Sequence, residues 1–369
     1  MIDGNVRVVI AGGGTGGHLY PGIAVARELL ARASMSQITF AGTSSGIEAR
    51  VLPREGFTLD VIRSGGLKGK SLTDRLRGLW LLPLGAVDAW RLLSRRRPQL
   101  VVGVGGYSSG PVVFAAAVRG IPTMVLEQNA VPGLTNKLLA PFVRAAAVTY
   151  ESTRSFFGEK AVVSGNPVRP EFFEVAGPSA GEADADGGSA VVRVLVFGGS
   201  QGAHAINVAM VEAAKELAAH GPHLRLTHQT GERDVEMVRA GYRAAGVQAD
   251  VQPFFYDMGR QLGDAHLIVC RAGATTLAEV AAAGRPAILI PLPTATDDHQ
   301  RRNAEALAAA GAAEVLLQKD ATGPTLAARI VALANDKAAR RRMAVAARAL
   351  AKPDAAKVIV DKALELVRT

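Results

Sequence analysis

One local pattern occurs twice along the chain: an apolar stretch runs into a glycine-rich turn, and an Ala-rich stretch of helical character follows. The first copy is VRVVIAGGGTGGHLYPGIAVA at residues 6–26, and the second is VRVLVFGGSQGAHAINVAM at residues 192–210. A strand, a glycine turn and a helix in this order are typical of the start of a doubly wound parallel sheet. Two copies in a chain of 369 residues predict two Rossmann-like α/β domains in tandem.

Short apolar runs alternate with longer Ala- and Leu-rich segments, as expected for parallel strands joined by crossover helices. Nine runs are predicted to be strands: Val6–Ala11, Ile38–Ala41, Leu100–Val104, Thr123–Leu126, Ala146–Thr149, Val194–Phe197, Leu224–Thr227, Leu267–Val269 and Ala287–Ile290. A Gly-, Ala-, Ser- and acid-rich stretch between the two halves has no hydrophobic period, which indicates a linker. We therefore expect a first domain at 1–166, a linker at 167–191 and a second domain at 192–352.

The number of cysteines and the hydropathy of the chain exclude several classes of protein. Cys270 is the only cysteine, so a disulfide within the chain and a cysteine-based metal cluster are excluded. We expect Cys270 to be a small, buried side chain in the core. No apolar run reaches the roughly 18 residues of a membrane-spanning helix, and the first residues lack a signal-peptide pattern. A cytoplasmic location is the default expectation.

The positive charge is concentrated in one segment. The formal net charge is +9, and residues 63–97 alone contain nine basic and two acidic side chains. Apolar residues recur there at helical spacing, which is compatible with a core helix, but the flanking charge and two tryptophans favour contact with an anionic membrane surface. The side chains expected in that contact are Arg75, Arg77, Leu79, Trp80, Leu82 and Trp90. No nucleic-acid-binding motif accompanies the segment, so nucleic acid is not an expected partner.

The first glycine turn has the G-x-G-x-x-G spacing of a dinucleotide-binding fingerprint, at Gly12, Gly14 and Gly17. A complete fingerprint also needs an acid at the end of the second strand, where it binds the adenine ribose. That strand ends in Gly-Thr-Ser-Ser at residues 42–45, and Glu48 lies further on in a predicted helix. We therefore expect phosphate chemistry near this turn, with an NAD(P) oxidoreductase as a less favoured alternative.

Further glycine-rich or polar turns follow predicted strands at residues 102–111, 126–140 and 198–203. Such turns in two domains suggest a cleft that binds a diphosphate from both sides. Near the start of another predicted helix, Glu279 is either a capping acid or a ligand of ribose hydroxyls. Other acidic and histidine side chains are interpreted as solvated surface groups, not as metal ligands: Asp184, Asp186, His220, His223 and His228.

Seven motifs, taken in order, resemble a known family. They are GGGTGGHLYPGIAVA, GVGGYSSGP, EQNAVPGLTNKLLA, GNPVR, FGGSQGAHAIN, CRAGATTLAEVAAAGRPAILIP and DDHQRRNA. Over residues 6–315 the chain is similar to the UDP-N-acetylglucosamine:lipid I N-acetylglucosaminyltransferases of peptidoglycan synthesis, the MurG family. The resemblance implies a GT-B fold, in which two Rossmann-like domains face each other across a cleft and a C-terminal helix at 353–369 returns to the first domain.

The resemblance also implies the reaction. N-acetylglucosamine would pass from UDP-N-acetylglucosamine to the C4 hydroxyl of the N-acetylmuramic acid of undecaprenyl-linked lipid I, with inversion at the anomeric carbon. No cofactor and no metal are implied. The implied partners are the two substrates and an anionic membrane surface, at the cytoplasmic face of the cell membrane.

The donor site implied by the resemblance lies chiefly in the second domain. Glu279 would bind the ribose hydroxyls, Phe255 the uracil through its backbone, and His299 with Gln300 the sugar hydroxyls. Ser200 and Arg169 would contact the diphosphate. The remaining donor residues implied are Thr15, Gly16, Gly17, Asn129, Gln201, Gly202, Ala274, Thr275 and Thr276.

An inverting displacement needs a base near the acceptor hydroxyl and charge stabilisation at the leaving diphosphate. His18 is the predicted base, because it follows the first glycine turn and a helix start keeps an imidazole of ordinary pKa, about 6.5, neutral. The alternative for His18 is a hydrogen bond to the loop and nothing more, and Glu127 is the rival base. The acceptor pyrophosphate is expected at Gly105, Gly106, Tyr107 and Ser108.

Two features depart from the family pattern. Leu126 stands where some members have a histidine, so that histidine is not needed here, and the stretch around 176–190 is longer and more acidic than expected. Two other functions are compatible with the same architecture. A UDP-sugar epimerase would not need the basic tryptophan segment, and a non-catalytic nucleotide-sugar-binding subunit would not need a base.

Overall fold

The structure is a computed structural model, and it describes residues 6–64, 72–174, 191–199, 202–219 and 223–368, without the side chains of 72–82 and Thr296. The chain divides into two compact units. The first unit is Met1–Val168 with Lys352–Thr369, and the second unit is Arg169–Ala351. Arg169 and the short helix α7 (Glu171–Glu174) therefore belong to the second unit, although the sequence pattern assigned them to the linker.

The first unit is an α/β unit around one parallel sheet. Its strands are β1 (Arg7–Gly12), β2 (Gln37–Gly42), β3 (Thr58–Val61), β4 (Leu100–Gly105), β5 (Thr123–Glu127), β6 (Ala145–Val148) and β7 (Ala161–Val163). Their order in the sheet is β3-β2-β1-β4-β5-β6-β7. Its helices are α1 (Gly16–Arg32), α2 (Glu48–Arg54), α3 (Leu72–Arg96), α4 (Ser109–Val118), α5 (Leu134–Leu139), α6 (Glu151–Phe157) and α15 (Ala355–Arg368).

Alternate side chains of β1 enter two different cores, because successive residues of a strand point to opposite faces of the sheet. Val8 and Ile10 pack in a core shared with α1 and with Ile359 of α15. Val9 and Ala11 pack in a core shared with α3 and α4. Helix α15 contacts α1 directly, so the last helix of the chain completes one face of the first unit.

The second unit repeats this architecture. Its strands are β8 (Val192–Phe197), β9 (Leu224–Gln229), β10 (Ala249–Gln252), β11 (Leu267–Cys270), β12 (Ala287–Leu289) and β13 (Ala313–Val315). Their order is β10-β9-β8-β11-β12-β13, and all pairs are parallel. Besides α7 its helices are α8 (His204–Ala219), α9 (Val235–Ala245), α10 (Met258–Asp264), α11 (Ala274–Ala283), α12 (His299–Ala309), α13 (Gly323–Asn335) and α14 (Lys337–Ala349).

The nine predicted strands are confirmed, with ends shifted by at most two residues. The described residues also contain four strands that were not predicted. The four are the edge strands β3, β7, β10 and β13. Each is only three or four residues long, and sequences such as TLDV and ADVQ carry polar side chains. An edge strand has a neighbour on one side only, so it needs less apolar surface and gives a weaker sequence signal.

The strand order reverses at one point in each sheet, between β1 and β4 in the first unit and between β8 and β11 in the second. In open parallel sheets, ligands bind beside the carboxyl ends of the strands at this point. The glycine turns that the sequence pattern singled out follow these same strands. The topology therefore predicts a ligand site beside the carboxyl ends of β1 and β4 in the first unit, and another beside those of β8 and β11 in the second.

A chain of hydrogen-bonded side chains crosses the interior of the second unit. Tyr242 Oη lies 2.8 Å from His228 Nδ1, and His228 Nε2 lies 3.0 Å from Asn207 Oδ1. Asn207 Nδ2 donates to Asp234 Oδ2 at 2.8 Å, and His204 Nδ1 lies 2.9 Å from the same oxygen. His228 is fully buried, so its interpretation as a surface histidine is wrong. Burial lowers its pKa to about 3, which keeps the imidazole neutral.

Helix α15 supplies a test of the first core. Ile359 is fully buried, so Ile359→Ala should lower the free energy of unfolding by about 2–5 kcal/mol through lost burial and a residual cavity. Urea denaturation followed by circular dichroism measures the change. Lys357→Ala, on the exposed face of the same helix, is the matched control. An equal loss in the two variants would contradict the docking of α15.

Candidate active site

Two glycine turns of the first unit touch where β1 and β4 end. The Gly13 N–H donates to the Gly105 carbonyl at 3.4 Å. A Cβ atom added at Gly106 would lie 2.6 Å from the Gly13 carbonyl oxygen, closer than a side chain tolerates. Gly105 and Gly106 also have φ of +96° and +80°, values that favour glycine. The contact between the two turns therefore requires glycine.

His18 lies at this contact, in the first turn of α1. Its Nδ1 is 3.4 Å from Thr15 Oγ1, and its ring packs on Gly105 so closely that an added Cβ would lie 2.7 Å from Cδ2. On the β4 turn, Tyr107 is 43% exposed and Ser108 is buried. The structure thus brings the predicted base against the turn predicted to bind the acceptor pyrophosphate. Gly16 and Gly17, implied donor residues, open the same helix.

Glu48, the first residue of α2, reaches both the first glycine turn and the end of β2. One carboxylate oxygen accepts the Gly14 N–H at 2.8 Å, and the other accepts the Thr43 N–H and Oγ1–H, both at 2.9 Å. Glu48 is fully buried. An acid does therefore lie at the end of the second strand, but its oxygens already bond to the protein's own loops. The sequence analysis placed Glu48 in a helix after β2. It missed this contact because α2 returns the Glu48 side chain to the end of β2 and to the first glycine turn.

Glu127, at the end of β5, is buried and organises the turn that follows. Oε1 accepts the Asn129 backbone N–H at 3.0 Å and its side-chain amide at 3.2 Å. Oε2 accepts the Gly133 N–H at 2.9 Å and the Asn136 amide at 2.8 Å. Because four donors surround its two oxygens, the carboxylate positions the turn that carries Asn129.

In the second unit, Gln229 at the end of β9 joins two turns. Its Nε2 donates to the Gly199 carbonyl at 2.9 Å, and its Oε1 accepts the Phe255 N–H at 2.8 Å. The Phe255 N–H is therefore bonded to Gln229 within the second unit. Sequence reasoning missed Gln229. The only signal was a polar side chain at the end of a short strand, LRLTHQ.

The turn after β8 is described in part. Ser200 and Gln201, two of the implied diphosphate residues, lie outside the described residues. Gly202 has a φ of +74° and packs so closely on the Thr230 carbonyl that no side chain would fit. The turn after β8 therefore also depends on glycine at its contact with a neighbouring turn.

Glu279 lies in the second turn of α11, which begins with Ala274, Thr275 and Thr276. Burial raises the pKa of its carboxyl from 4.5 to about 7, and the nearby Arg169 guanidinium opposes this shift. Arg169 Nη1 forms an ion pair with Glu171 at 3.0 Å. Hydroxyl groups that donate to the Glu279 carboxylate would offset its lost hydration. Glu279 is partly exposed, and its carboxyl lies near the Arg169 guanidinium in the second turn of α11.

Gln300 is held by two backbone groups. Its Oε1 accepts the Ala272 N–H at 3.2 Å and the Leu292 N–H at 3.0 Å. This fixes the orientation of the amide and leaves Nε2 to donate to a ligand. The preceding residues, Asp297 and Asp298, have φ of +54° and +55°. Such backbone is uncommon for non-glycine residues, although Asp adopts it more readily than most. His299 stands beside Gln300 at the start of α12.

An apolar face covers part of the first unit. Helices α3 and α4 pack together, as do α4 and α5, and Phe114 lies edge-on to Phe142 with ring centroids 5.1 Å apart. The exposed side chains of this apolar face are Leu84, Val87, Trp90, Phe114, Val118, Leu134, Leu138 and Phe142. The Arg119 guanidinium stacks 4.9 Å from the centre of the Trp90 ring. The side chains of Arg75, Arg77, Leu79, Trp80 and Leu82 lie outside the described part of the chain.

The charge of this region is smaller than the sequence count indicates. Asp60, which precedes the counted segment, pairs with both Arg95 and Arg96, and Arg63 pairs with Asp88, one of the two acids already counted. Arg63 holds the pKa of Asp88 below its ordinary value. Over the described residues, no helix is long and apolar enough to cross a membrane, and no three acidic, His or Cys side chains are placed to hold a metal ion.

Family models match both units. The glycosyltransferase family 28 N-terminal domain matches residues 8–148, and the family 28 C-terminal domain matches residues 193–359. A relative from Anaeromyxobacter sp. (strain K) is 47% identical over 365 residues, which covers 98% of this chain and 94% of that protein. Its name is UDP-N-acetylglucosamine–N-acetylmuramyl-(pentapeptide) pyrophosphoryl-undecaprenol N-acetylglucosamine transferase.

Solved structures share the fold. The crystal structure of Acinetobacter baumannii MurG is 32% identical with a TM-score of 0.77, and the match covers 97% of this chain and 99% of that one. The UDP-GlcNAc 2-epimerase of Neisseria meningitidis, solved with UDP-GlcNAc bound, has a TM-score of 0.67 at 16% identity, with coverage of 97% and 99%. At that identity the second likeness shows the fold alone. The two-domain GT-B fold implied by the sequence motifs is confirmed.

The raised pKa of Glu279 gives a pH test. An acid whose pKa is raised by folding binds protons more tightly in the folded state, so stability is lost as the pH rises from about 4.5 to about 7. The melting temperature of Glu279→Gln should therefore rise relative to the unsubstituted protein over this range. Glu216→Gln, on the exposed face of α8, controls for the loss of one charge. A difference that does not change with pH would contradict the raised pKa.

Proposed function

This chain belongs to the MurG family of N-acetylglucosaminyltransferases, within glycosyltransferase family 28, and we propose that it converts lipid I to lipid II. In this reaction N-acetylglucosamine passes from UDP-N-acetylglucosamine to the C4 hydroxyl of the N-acetylmuramic acid of the undecaprenyl-linked acceptor. The observation that carries the proposal is 47% identity over 98% of the chain to a relative named for this transfer. The anomeric carbon inverts, because one direct displacement replaces UDP by the acceptor oxygen.

The second unit binds the donor. Glu279 accepts hydrogen bonds from the ribose hydroxyls, the Phe255 carbonyl accepts from the uracil N3–H, and Gln300 Nε2 donates to a sugar hydroxyl. Their support is the environment described above: a carboxyl with a raised pKa at Glu279, a Phe255 backbone held by Gln229, and a Gln300 amide held by two backbone N–H groups. Charge that develops on the leaving diphosphate is stabilised by the β8 turn, with Ser200 and Gln201, and by Arg169.

The first unit supplies the base. As the acceptor O4 attacks the anomeric carbon and the bond to the diphosphate breaks, His18 takes the O4 proton. The contact of His18 with the β4 turn, GGYSSG at residues 105–110, supports this role, since that turn would hold the acceptor pyrophosphate nearby. Thr15 Oγ1, 3.4 Å from Nδ1, would orient the ring so that Nε2 faces the acceptor.

Two alternative functions are less favoured. A dinucleotide cofactor would need an acid free to bind its ribose, whereas the Glu48 oxygens bond to Gly14 and Thr43. The epimerase likeness is one of fold at 16% identity, against 32% for the transferase structure. Neither alternative uses an acceptor with a lipid anchor.

An acceptor-dependent assay tests the function and the base together. UDP release from UDP-N-acetylglucosamine should require a lipid I analogue. His18→Ala should lower kcat about 100-fold or more, the usual contribution of a general base. The KM for the donor should change little, because most donor contacts lie in the second unit. His223→Ala, at an exposed position, is the control. A near-normal kcat would remove His18 as the base, and UDP release without acceptor would contradict the transfer.

The apolar face of the first unit docks on an anionic membrane, at its cytoplasmic side. Aromatic and aliphatic side chains exposed next to arginines match a surface that inserts shallowly among lipid headgroups. Trp90 carries both features, since half of it is exposed and Arg119 stacks on it. Each unpaired Lys or Arg near such a surface contributes about 1 kcal/mol, so the ion pairs of Asp60 and Asp88 reduce the charge term and leave more of the affinity to the apolar face.

Vesicle co-sedimentation measures this docking. At low salt the protein should bind phosphatidylglycerol vesicles more strongly than phosphatidylcholine vesicles, and added salt should weaken the binding. Trp90→Ser and Phe142→Ser should each reduce binding severalfold through lost apolar contact. Val345→Ser removes an apolar side chain of the second unit that is even more exposed, and it should leave binding unchanged. No binding to anionic vesicles at low salt would contradict the docking.

A further inference from the structure

We propose that Glu48 is a positioning residue for the transfer reaction: its carboxylate is the built-in anion of the first glycine turn, and it holds Thr15 and His18 in place. The proposal rests on the proposed function, because His18 is the base of that reaction. The hydrogen bonds of Glu48 and the burial of its side chain carry the argument.

Three glycines surround the Glu48 side chain, namely Gly13, Gly42 and Gly46. A Cβ added at Gly13 would lie 2.6 Å from the Glu48 carboxyl carbon, and one added at Gly42 would lie 2.8 Å from Cγ. A Cβ at Gly46 would collide with both carboxylate oxygens. Part of what looks like a nucleotide-binding glycine pattern therefore makes room for an internal carboxylate.

Backbone N–H groups in a glycine turn before a helix form a concave site that attracts anions. Here the Gly14 N–H points at Glu48, and the second oxygen of the same carboxylate takes two hydrogen bonds from Thr43. A buried carboxylate is stable when charge-assisted hydrogen bonds replace its hydration. Once this anion is in place, a phosphate at the same N–H would be repelled, so the turn does not bind substrate phosphate there.

Gly14 precedes Thr15, and the Thr15 carbonyl accepts the backbone N–H groups of His18 and Leu19 at 3.3 and 3.2 Å. A displacement of Gly14 is therefore transmitted within one turn of helix to the His18 ring. A misplacement of about 1 Å can cost about 100-fold in rate. Glu48 thus acts on the reaction through His18 without touching either substrate.

Glu48→Ala tests the proposal by chemical rescue. The variant should lose about 10-fold or more in kcat, and the KM for UDP-N-acetylglucosamine should rise by a smaller factor, since only Thr15, Gly16 and Gly17 of the implied donor residues adjoin this turn. Sodium formate, a small carboxylate that fits the vacated space, should raise the kcat of the variant severalfold and leave the unsubstituted enzyme unchanged. Glu55→Ala, at the far end of α2, is the matched control and should keep normal kcat.

Hydrogen–deuterium exchange gives a readout that does not need activity. The amides of residues 12–17 and of Thr43 should exchange faster in Glu48→Ala, and formate should slow them again. If the unsubstituted enzyme transfers sugar and Glu48→Ala keeps normal kcat, the positioning role is overturned and the function stands. If the unsubstituted enzyme does not transfer sugar, the proposed function fails, and unchanged exchange at Gly14 would then overturn the built-in anion as well.

If Glu48→Ala does not fold, two variants with smaller changes still test the proposal. Glu48→Gln preserves the shape but turns an NH2 group toward N–H donors, so kcat should fall. Thr43→Val removes one of the two hydrogen bonds from Thr43, so its kcat should fall less than that of Glu48→Gln. A normal kcat in both folded variants would overturn the proposal.

Discussion

The two glycine turns of the first unit can meet only because neither carries a side chain at the point of contact. Gly105 and Gly106 approach the backbone of Gly13 and the ring of His18 at distances that exclude a Cβ atom. The order of the parallel strands makes this possible, since β1 and β4 are neighbours at the point where the sheet reverses direction. The position of the proposed base relative to the proposed acceptor turn depends on this contact.

The two units stabilise their glycine turns in chemically different ways. In the first unit the charged side chain of Glu48 accepts from the turn. In the second unit neutral amides do the corresponding work: Gln229 donates to the Gly199 carbonyl, and Gln300 accepts from the loops after β11 and β12. A carboxylate beside the β8 turn would repel a diphosphate, whereas an amide fixes the same backbone without adding charge. The difference matches the proposed division of labour, with the leaving diphosphate bound by the second unit.

Sequence patterns predicted the central strands of both sheets and missed the edge strands. Central strands such as β1 and β8 are covered on both faces, so they read as continuous apolar runs, whereas edge strands such as β3 and β10 do not. The glycine turns were found for the same local reason. Glu48 and Gln229 act instead across loops distant in sequence, and no local pattern encodes such partners. Burial of His228 was missed because its hydrogen-bonding partners lie on other elements.

The hydrogen-bonded chain from Tyr242 to His204 has a consequence for how the second unit can evolve. Every member except His204 is buried, and each satisfies the polar atoms of its neighbours. Replacing a single member by an apolar residue leaves a buried partner without a hydrogen bond, which costs about 1–3 kcal/mol. Replacing neighbouring members together removes the donor and the acceptor at once and can be nearly neutral. Substitutions at these positions are therefore epistatic, and related chains should carry either the whole network or a jointly altered one.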